Sequence, residues 1–120
     1  MIQATIPVLH VSNSRKARDF YCEKLGFKLE FEYRPSPAED PCYFGISRDG
    51  QWIHLSSFPG DGVSGGVVML VVDNVDPHHQ ELLTKGVAID TGPIDQEWGN
   101  REMYVKDADR NSIRFAQFLR

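Results

Sequence analysis

The chain is poor in cysteine. Cys22 and Cys42 are the only two, and they form no CxxC or related metal-binding spacing. A disulfide scaffold and a cysteine-built zinc site are therefore excluded. Long apolar runs are also missing: nothing approaches the ~18 consecutive apolar residues of a membrane-crossing helix. The opening MIQATIPVLHVSNSRK lacks a basic stretch followed by an apolar run and a small-residue cleavage site, so it does not read as an export signal. Reduced thiols and a cytoplasmic location are the expectation. A basic surplus is absent too. Thirteen Lys and Arg stand against 17 Asp and Glu, a net charge of −4, which argues against a nucleic-acid partner. What remains is ordinary for a globular domain: 120 residues, 41% hydrophobic, enough for one domain with a core.

The chain resembles itself. Shifted by 60 positions, Gly26-Phe27 falls on Gly86-Val87, Val8-Leu9-His10-Val11 on Val68-Met69-Leu70-Val71, and Phe44 on Tyr104. Asp49 falls on Asp109, Ile53-His54-Leu55 on Ile113-Arg114-Phe115, and Phe58 on Phe118. One gapless offset that preserves residue character implies a duplication, with half-modules of about 1–60 and 61–120 in a single domain.

Each half has the same predicted order. Residues 3–11 alternate and read as a strand. Ser12-Asn13 offers a helix cap, Ala17, Phe20, Tyr21 and Leu25 form one helical stripe, and Gly26 suits a left-handed helix end. Strands are predicted near 27–34, 42–48 and 51–58, the last two joined by a tight Asp49-Gly50 turn. Glycines 60, 62, 65 and 66 read as a flexible connector, and the proline-rich 34–41 stretch as a mobile loop. In the second half, 67–73 reads as a strand, Asp76-Pro77 as a cap with proline opening the helix, and Val75, Leu82 and Leu83 as its apolar face. Strands near 87–91, 101–107 and 112–119 complete a second βαβββ unit. The fold class is α+β: one helix covers one face of each four-stranded sheet, and the other face is where function is to be sought.

Two stretches carry a resemblance. Ile6-Pro-Val-Leu-His-Val11, Ala17-Arg-Asp-Phe-Tyr21 and Leu25-Gly-Phe27 resemble the start of a vicinal-oxygen-chelate domain. Trp98-Gly-Asn-Arg-Glu-Met-Tyr-Val-Lys-Asp107 and Asn111-Ser-Ile-Arg-Phe115 resemble the end of bleomycin-resistance proteins, whose pattern there is WGxRE and then DPDGN. The resemblance covers nearly the whole chain. It implies paired βαβββ modules forming curved mixed sheets around a concave cavity, and a homodimer. The turn departs from the pattern: Asp107-Ala-Asp-Arg-Asn111 lacks the family's proline and glycine, and Asn111 is the residue expected to tolerate a left-handed conformation.

Metalloenzymes of this superfamily place one His, Glu or Gln ligand on each of four strands. Carried over, the positions are Ile6, His54, Val67 and Arg114. Only His54 can ligate; Ile6 and Val67 have no donor atom, and Arg114 only donates. A transition metal needs about three protein ligands, so no metal and no cofactor is expected. His10 lies too far along its strand to share a site with His54. The family's lyase, dioxygenase and thiol-transferase chemistries use the metal as Lewis acid, so the resemblance then implies binding without turnover, as in resistance proteins that sequester a drug.

Alternation assigns the ligand face. Trp52, His54 and Ser56 share one side of their strand, opposite Ile53 and Leu55. Glu102, Tyr104 and Lys106 share another, and Ser112, Arg114 and Ala116 a third. Trp98 sits in a loop that lies near bound drug in the family. The predicted ligand-binding set is Trp52, His54, Ser56, Trp98, Glu102, Tyr104 and Arg114, a mixture suited to a planar heteroaromatic or cationic antibiotic. Each has a structural alternative: Trp98 packed on a strand or a dimer partner, Trp52 in the core, His54 merely hydrogen-bonded, Glu102 and Arg114 paired with each other. Of Tyr43 and Phe44 only one can face the cavity, and Phe58 and Phe118 read as core or interface. His78-His79 diverge on their helix and read as solvated, and Asp107-Asp109-Asn111 lacks the glycine and terminal glutamate of a calcium loop. The alternative function is an enzyme of the same fold using His54 or Glu102 as a general base, or a metal held in another register. A third is a domain whose cavity is only a protein-contact surface.

Overall fold

A computed structural model describes residues 1–119. The chain forms two compact units, Met1–Gly66 and a second beginning at Val67. Unit 1 contains β1 (Val8–His10), α1 (Ser14–Arg18) running into a π-helical stretch (Asp19–Lys24), β2 (Lys28–Tyr33), β3 (Tyr43–Arg48) and β4 (Gln51–Ser56). Unit 2 contains β5 (Val67–Val71), α2 (Val75–Thr84), β6 (Thr91–Asp95), β7 (Asn100–Lys106) and β8 (Ser112–Phe118). The sheets have the same order, β1-β4-β3-β2 and β5-β8-β7-β6. In each, the first strand pairs parallel to the last and the rest are antiparallel. The βαβββ expectation for each half therefore holds.

Each unit buries one sheet face against its helix. In unit 1, Leu9, Phe44, Ile46, Ile53 and Leu55 meet Ala17, Tyr21 and Leu25; in unit 2, Met103, Val105, Ile113 and Phe115 meet Val75 and Leu82. Asn13 caps α1 and Asn74 caps α2, each side chain accepting from a backbone N–H of the first turn. The first amide of each helix has a further acceptor from elsewhere in its own unit: Asp40 for Ser14, Gln117 Oε1 at 3.0 Å for Val75. Asp40 also accepts from the Ser57 hydroxyl at 2.5 Å, so the loop before β3 is tied to both the helix start and the end of β4.

Several boundaries differ from expectation. β1 is three residues long, not nine. The cap of α2 is Asn74; Asp76 and Pro77 lie inside the first turn, so Pro77 does not open the helix. No strand forms at 87–90: Val87 donates back to Leu82 and closes the helix, and β6 begins at Thr91. In the 107–111 turn it is Arg110, not Asn111, that takes positive φ, at 65°. Asp107 secures that turn by accepting from the amides of Asp109 and Asn111 and from the Asn111 side chain.

The single offset of 60 also fails in detail. Val8 pairs with His54 in unit 1 and Met69 with Arg114 in unit 2. The last strands are thus offset by 60 (54 to 114) but the first by 61 (8 to 69). Gly45 pairs with His54 and Tyr104 with Arg114, so the third strands are offset by 59. Met103, not Tyr104, is the counterpart of Phe44. The extra helical residue in unit 1 has a visible home. From cap to terminal glycine the helix runs from Asn13 to Gly26 in unit 1 and from Asn74 to Gly86 in unit 2, one residue fewer. The surplus is absorbed as π-helix, with Leu25 N–H bonded to Phe20 O five residues back.

Candidate functional site

The sheet face of unit 1 away from its helix is largely aromatic. Cross-strand register places Val8, His54, Gly45 and Phe31 in one row, and His10, Ser56, Tyr43 and Tyr33 in the next. Tyr43 OH and His54 Nδ1 share a hydrogen bond of 2.8 Å. Phe31 stacks near-parallel to Tyr43 at 6.3 Å and meets His54 edge-on at 5.2 Å; Trp52 meets His54 edge-on at 6.1 Å. Tyr33 stacks on Phe58 at 6.2 Å; Phe58, expected in the core or at an interface, is half-buried and so not part of the fully buried core. Burial holds the His54 imidazole below its ordinary pKa and so favours the neutral ring. Burial, helped by the Asp61 charge, pushes the Tyr43 phenol up.

Sequence reasoning placed Trp52, His54 and Ser56 on this face, and all three are on it, with differing availability. Trp52 is exposed and His54 half-buried, whereas Ser56 is fully buried. Its hydroxyl donates to Asp61 at 2.7 Å and accepts from the Phe58 amide. Ser56 therefore orders the chain after β4. Of the Tyr43–Phe44 pair it is Tyr43 that faces outward. Phe31 and Gly45 were missed. Gly45 sits mid-strand in β3 opposite Phe31, a place where glycine marks a close approach.

The corresponding face of unit 2 is polar at its centre. Glu102 is 1% exposed, yet its carboxylate receives three hydrogen bonds. Trp98 Nε1 donates at 3.1 Å and Asn100 Nδ2 at 2.9 Å to one oxygen; Tyr104 OH donates at 2.6 Å to the other. Burial alone would raise its pKa, but these three bonds, with the Arg114 charge, outweigh it and hold the carboxyl below its ordinary value. Arg114 lies over the Tyr104 ring, its guanidinium carbon 4.5 Å from the centroid. Two polar atoms here are buried with no hydrogen-bond partner among the described residues, Arg114 Nε and Asn100 Oδ1. Trp98, Glu102, Tyr104 and Arg114 thus form one cluster. Arg114 approaches Glu102 by way of the tyrosine ring, and Asn100 joins a set that alternation alone did not reveal. His78, expected to be solvated, is half-buried and tilts against Phe115 at 5.3 Å.

The donor set does not fit the superfamily's metal. In unit 1, Ile6 offers no ligand beside His54; in unit 2, Val67 offers none and Arg114 is a cation. Among the described residues, no group of three or more His, Cys, Asp or Glu could hold an ion. No helix is long and apolar enough to cross a membrane.

Comparison with known proteins bears on this arrangement. A bleomycin resistance protein of Geobacillus stearothermophilus is 29% identical over 135 aligned positions, covering 100% of this chain and 99% of that protein. An antibiotic binding protein from Streptomyces sp. CB03234, TnmS3, superposes with a TM-score of 0.79 at 29% identity, over 98% of this chain and 97% of that one. A bleomycin resistance determinant encoded on transposon Tn5 shares the fold, with a TM-score of 0.76 at 20% identity and 98% coverage of both chains. The model of the family described as glyoxalase superfamily proteins matches residues 1–119. The chain belongs to the glyoxalase superfamily and has the fold of these relatives.

Proposed function

We propose that this protein binds an antibiotic of the bleomycin type and holds it without turnover and without a metal. The observation that carries the reading is the state of Glu102. A buried carboxylate tied by three donors and held below its ordinary pKa is a weak base and a fixed anion. Such a group orients its neighbours. It keeps the Trp98 and Tyr104 rings in place, and the Tyr104 ring in turn carries Arg114. Arg114 Nε and Asn100 Oδ1 are enclosed without a partner among the described residues, and because buried polar atoms are otherwise almost always satisfied, this supports a functional rather than a purely structural role for the cluster. The relatives support antibiotic binding, and the missing metal ligands remove the superfamily's usual Lewis acid. The residues assigned to ligand contact are Trp98, Glu102, Tyr104 and Arg114 on the face of unit 2 and, on the separate face of unit 1, Trp52 and His54. Ser56 supports that face from beneath.

The chain acts as a single domain, in the cytoplasm, as a homodimer. The exposed apolar row Val67, Met69 and Val71 on β5 supports a partner subunit. Nucleic acid is not a partner of a chain with this charge balance.

Titration with metal-free bleomycin, followed by tryptophan fluorescence, tests the reading. One drug per chain at low micromolar affinity or tighter is expected, unchanged by prior dialysis against a chelator. The drug should be recovered unmodified after hours of incubation. Trp98→Ala should weaken binding by more than about 1 kcal/mol. Chemical conversion of the drug would instead favour a His54-based catalyst. No binding at about 100 µM, which corresponds to less than roughly 6 kcal/mol of affinity, would remove the drug assignment.

A further inference from the structure

A glycine in the middle of a paired strand weakens it, because alanine loses less backbone entropy and packs better. Gly45 is such a residue. It is buried, its φ is not in the left-handed region, and it pairs with Phe31 on β2 and His54 on β4. Nothing in the backbone requires glycine there. What requires it is Phe31: a Cβ at position 45 would meet three atoms of that ring at 3.0 Å or less, and those are its three nearest neighbours. The ring lies across the space the missing side chain leaves. From that seat it stacks on Tyr43 and meets His54 edge-on.

We propose that Gly45 is the specificity-determining position of the unit 1 face: by giving Phe31 its seat it builds, with Tyr43, Trp52 and His54, an aromatic floor that takes a flat, uncharged ring system of the ligand. The inference rests on the antibiotic-binding reading and names the part of the ligand this face receives. The chemistry fits that class. Phe31, Tyr43 and Trp52 carry no charge, and a hydrogen bond turns the Tyr43 hydroxyl and the His54 Nδ1 toward each other. Phe31 and Trp52 remain 39% and 37% exposed, so their rings are accessible to a stacking partner. The register also explains the placement. An irregularity between Leu29 and Phe31 puts these two residues, which simple alternation would align, on opposite faces.

Covering a strand glycine with a cross-strand aromatic also has a purely structural use, so the test must separate the two. Metal-free bleomycin is titrated into wild type, Gly45→Ala, Phe31→Ala, the double variant, Phe31→Leu and Phe31→Tyr, at a temperature where melting curves show all to be folded. Gly45→Ala should weaken binding about five- to tenfold, the worth of one lost aromatic contact. The same change made in the Phe31→Ala background should alter affinity less than about twofold, since the clash is gone. Phe31→Tyr should keep wild-type affinity. Phe31→Leu should lose it while retaining stability, because leucine shields the glycine but offers no ring. Wild-type affinity in Gly45→Ala or Phe31→Leu would overturn the proposal and leave the antibiotic-binding reading intact. Failure of wild type itself to bind would overturn both. A shift in sedimentation of Phe31→Ala toward monomer, with drug affinity unchanged, would assign the face to a second copy of the chain and overturn it as well.

Discussion

The two units use one topology to make two different surfaces. In corresponding slots, unit 1 has His54, Gly45 and Tyr43 where unit 2 has Arg114, Tyr104 and Glu102. In both, the residue on the last strand engages an aromatic on the third: His54 through a hydrogen bond to Tyr43, Arg114 through the face of Tyr104. The difference lies in charge. None of the unit 1 slots carries a charged side chain: the Phe31 ring fills the glycine slot and burial favours a neutral imidazole. Unit 2 buries an anion and surrounds it with donors. Covered on one face by similar helices, the sheets show that a duplicated scaffold leaves its uncovered face free to diverge, since the apolar core of each unit lies on the helix side.

The sharpest way to break the comparison is to remove the anion. Glu102→Ala leaves the buried Asn100 donor and the part-buried Trp98 and Tyr104 donors without their acceptor, and a stranded buried donor costs more than its bond was worth. A loss of about 3 kcal/mol in urea-unfolding stability is expected. The counterpart change, Tyr43→Phe, deletes one half-exposed hydrogen bond and should cost about 1 kcal/mol or less. Similar losses from the two would mean that the surfaces are not organised as differently as their contacts indicate.

The same contrast explains what was legible beforehand. Helix-side residues follow a period and were readable: Ala17, Tyr21 and Leu25, or Ile113 and Phe115. So was the Asp49-Gly50 turn, where both residues take positive φ, at 52° and 76°. The face taken by Trp52, His54, Glu102, Tyr104 and Arg114 was legible because β4, β7 and β8 alternate without interruption. Phe31 was hidden by the irregularity in β2, which breaks the alternation on which such reasoning depends. β6 begins four residues later than expected, and Gly92 and Pro93 fall at an irregularity in its pairing between Thr91 and Ile94, where alternation gives no guide. The offset of 60 looked gapless because the longer helix of unit 1 brings 61 down to 60, and the further residue of unit 1 between Gly26 and β3 is cancelled by its shorter β3–β4 turn; only the pairing register shows the 59 in between.

A smaller effect comes from pH; the near-neutral stage belongs to His54 of unit 1, and the acid stage is shared by Glu102 of unit 2 and Glu32 of unit 1, whose carboxyl is held down by Arg34 and Arg18. The His54 pKa is lowered from 6.5 by burial, so the unfolded chain takes up its proton first as the pH falls. The stability associated with the neutral ring is complete above about pH 6.5 and drains away as the pH falls toward the lowered value. Glu102 is also lowered, from 4.5; its contribution is present above that value and is lost as the pH falls through its folded pKa. Urea midpoints measured from about pH 7.5 to 3.5 should therefore decline in two stages. His54→Gln should flatten the first stage and leave the second. If it leaves the first stage unchanged, the neutral imidazole is not what distinguishes unit 1.

The smallest expected effect concerns the two β-turns on which the last strands are hung. Unit 1 closes β3–β4 with two residues, and the non-glycine one in the left-handed region is Asp49, a residue type that tolerates it. Unit 2 uses the longer 107–111 turn and puts Arg110 at φ 65°, where an arginine side chain gains nothing from its own backbone and pays the left-handed penalty of about 1 kcal/mol or more. Glycine relieves that penalty but is costlier to order from the unfolded chain. Arg110→Gly should therefore stabilise by roughly 0.5–1 kcal/mol in thermal or urea unfolding, and Arg110→Ala by almost nothing, which separates the backbone effect from loss of the charge. Asp49→Gly should gain less than Arg110→Gly, because Asp49 starts from a smaller penalty and is within 3.8 Å of the Arg48 guanidinium. Equal gains at the two turns would mean that residue type in the left-handed position does not separate them, and that the five-residue turn, held by Asp107, has relaxed around its arginine.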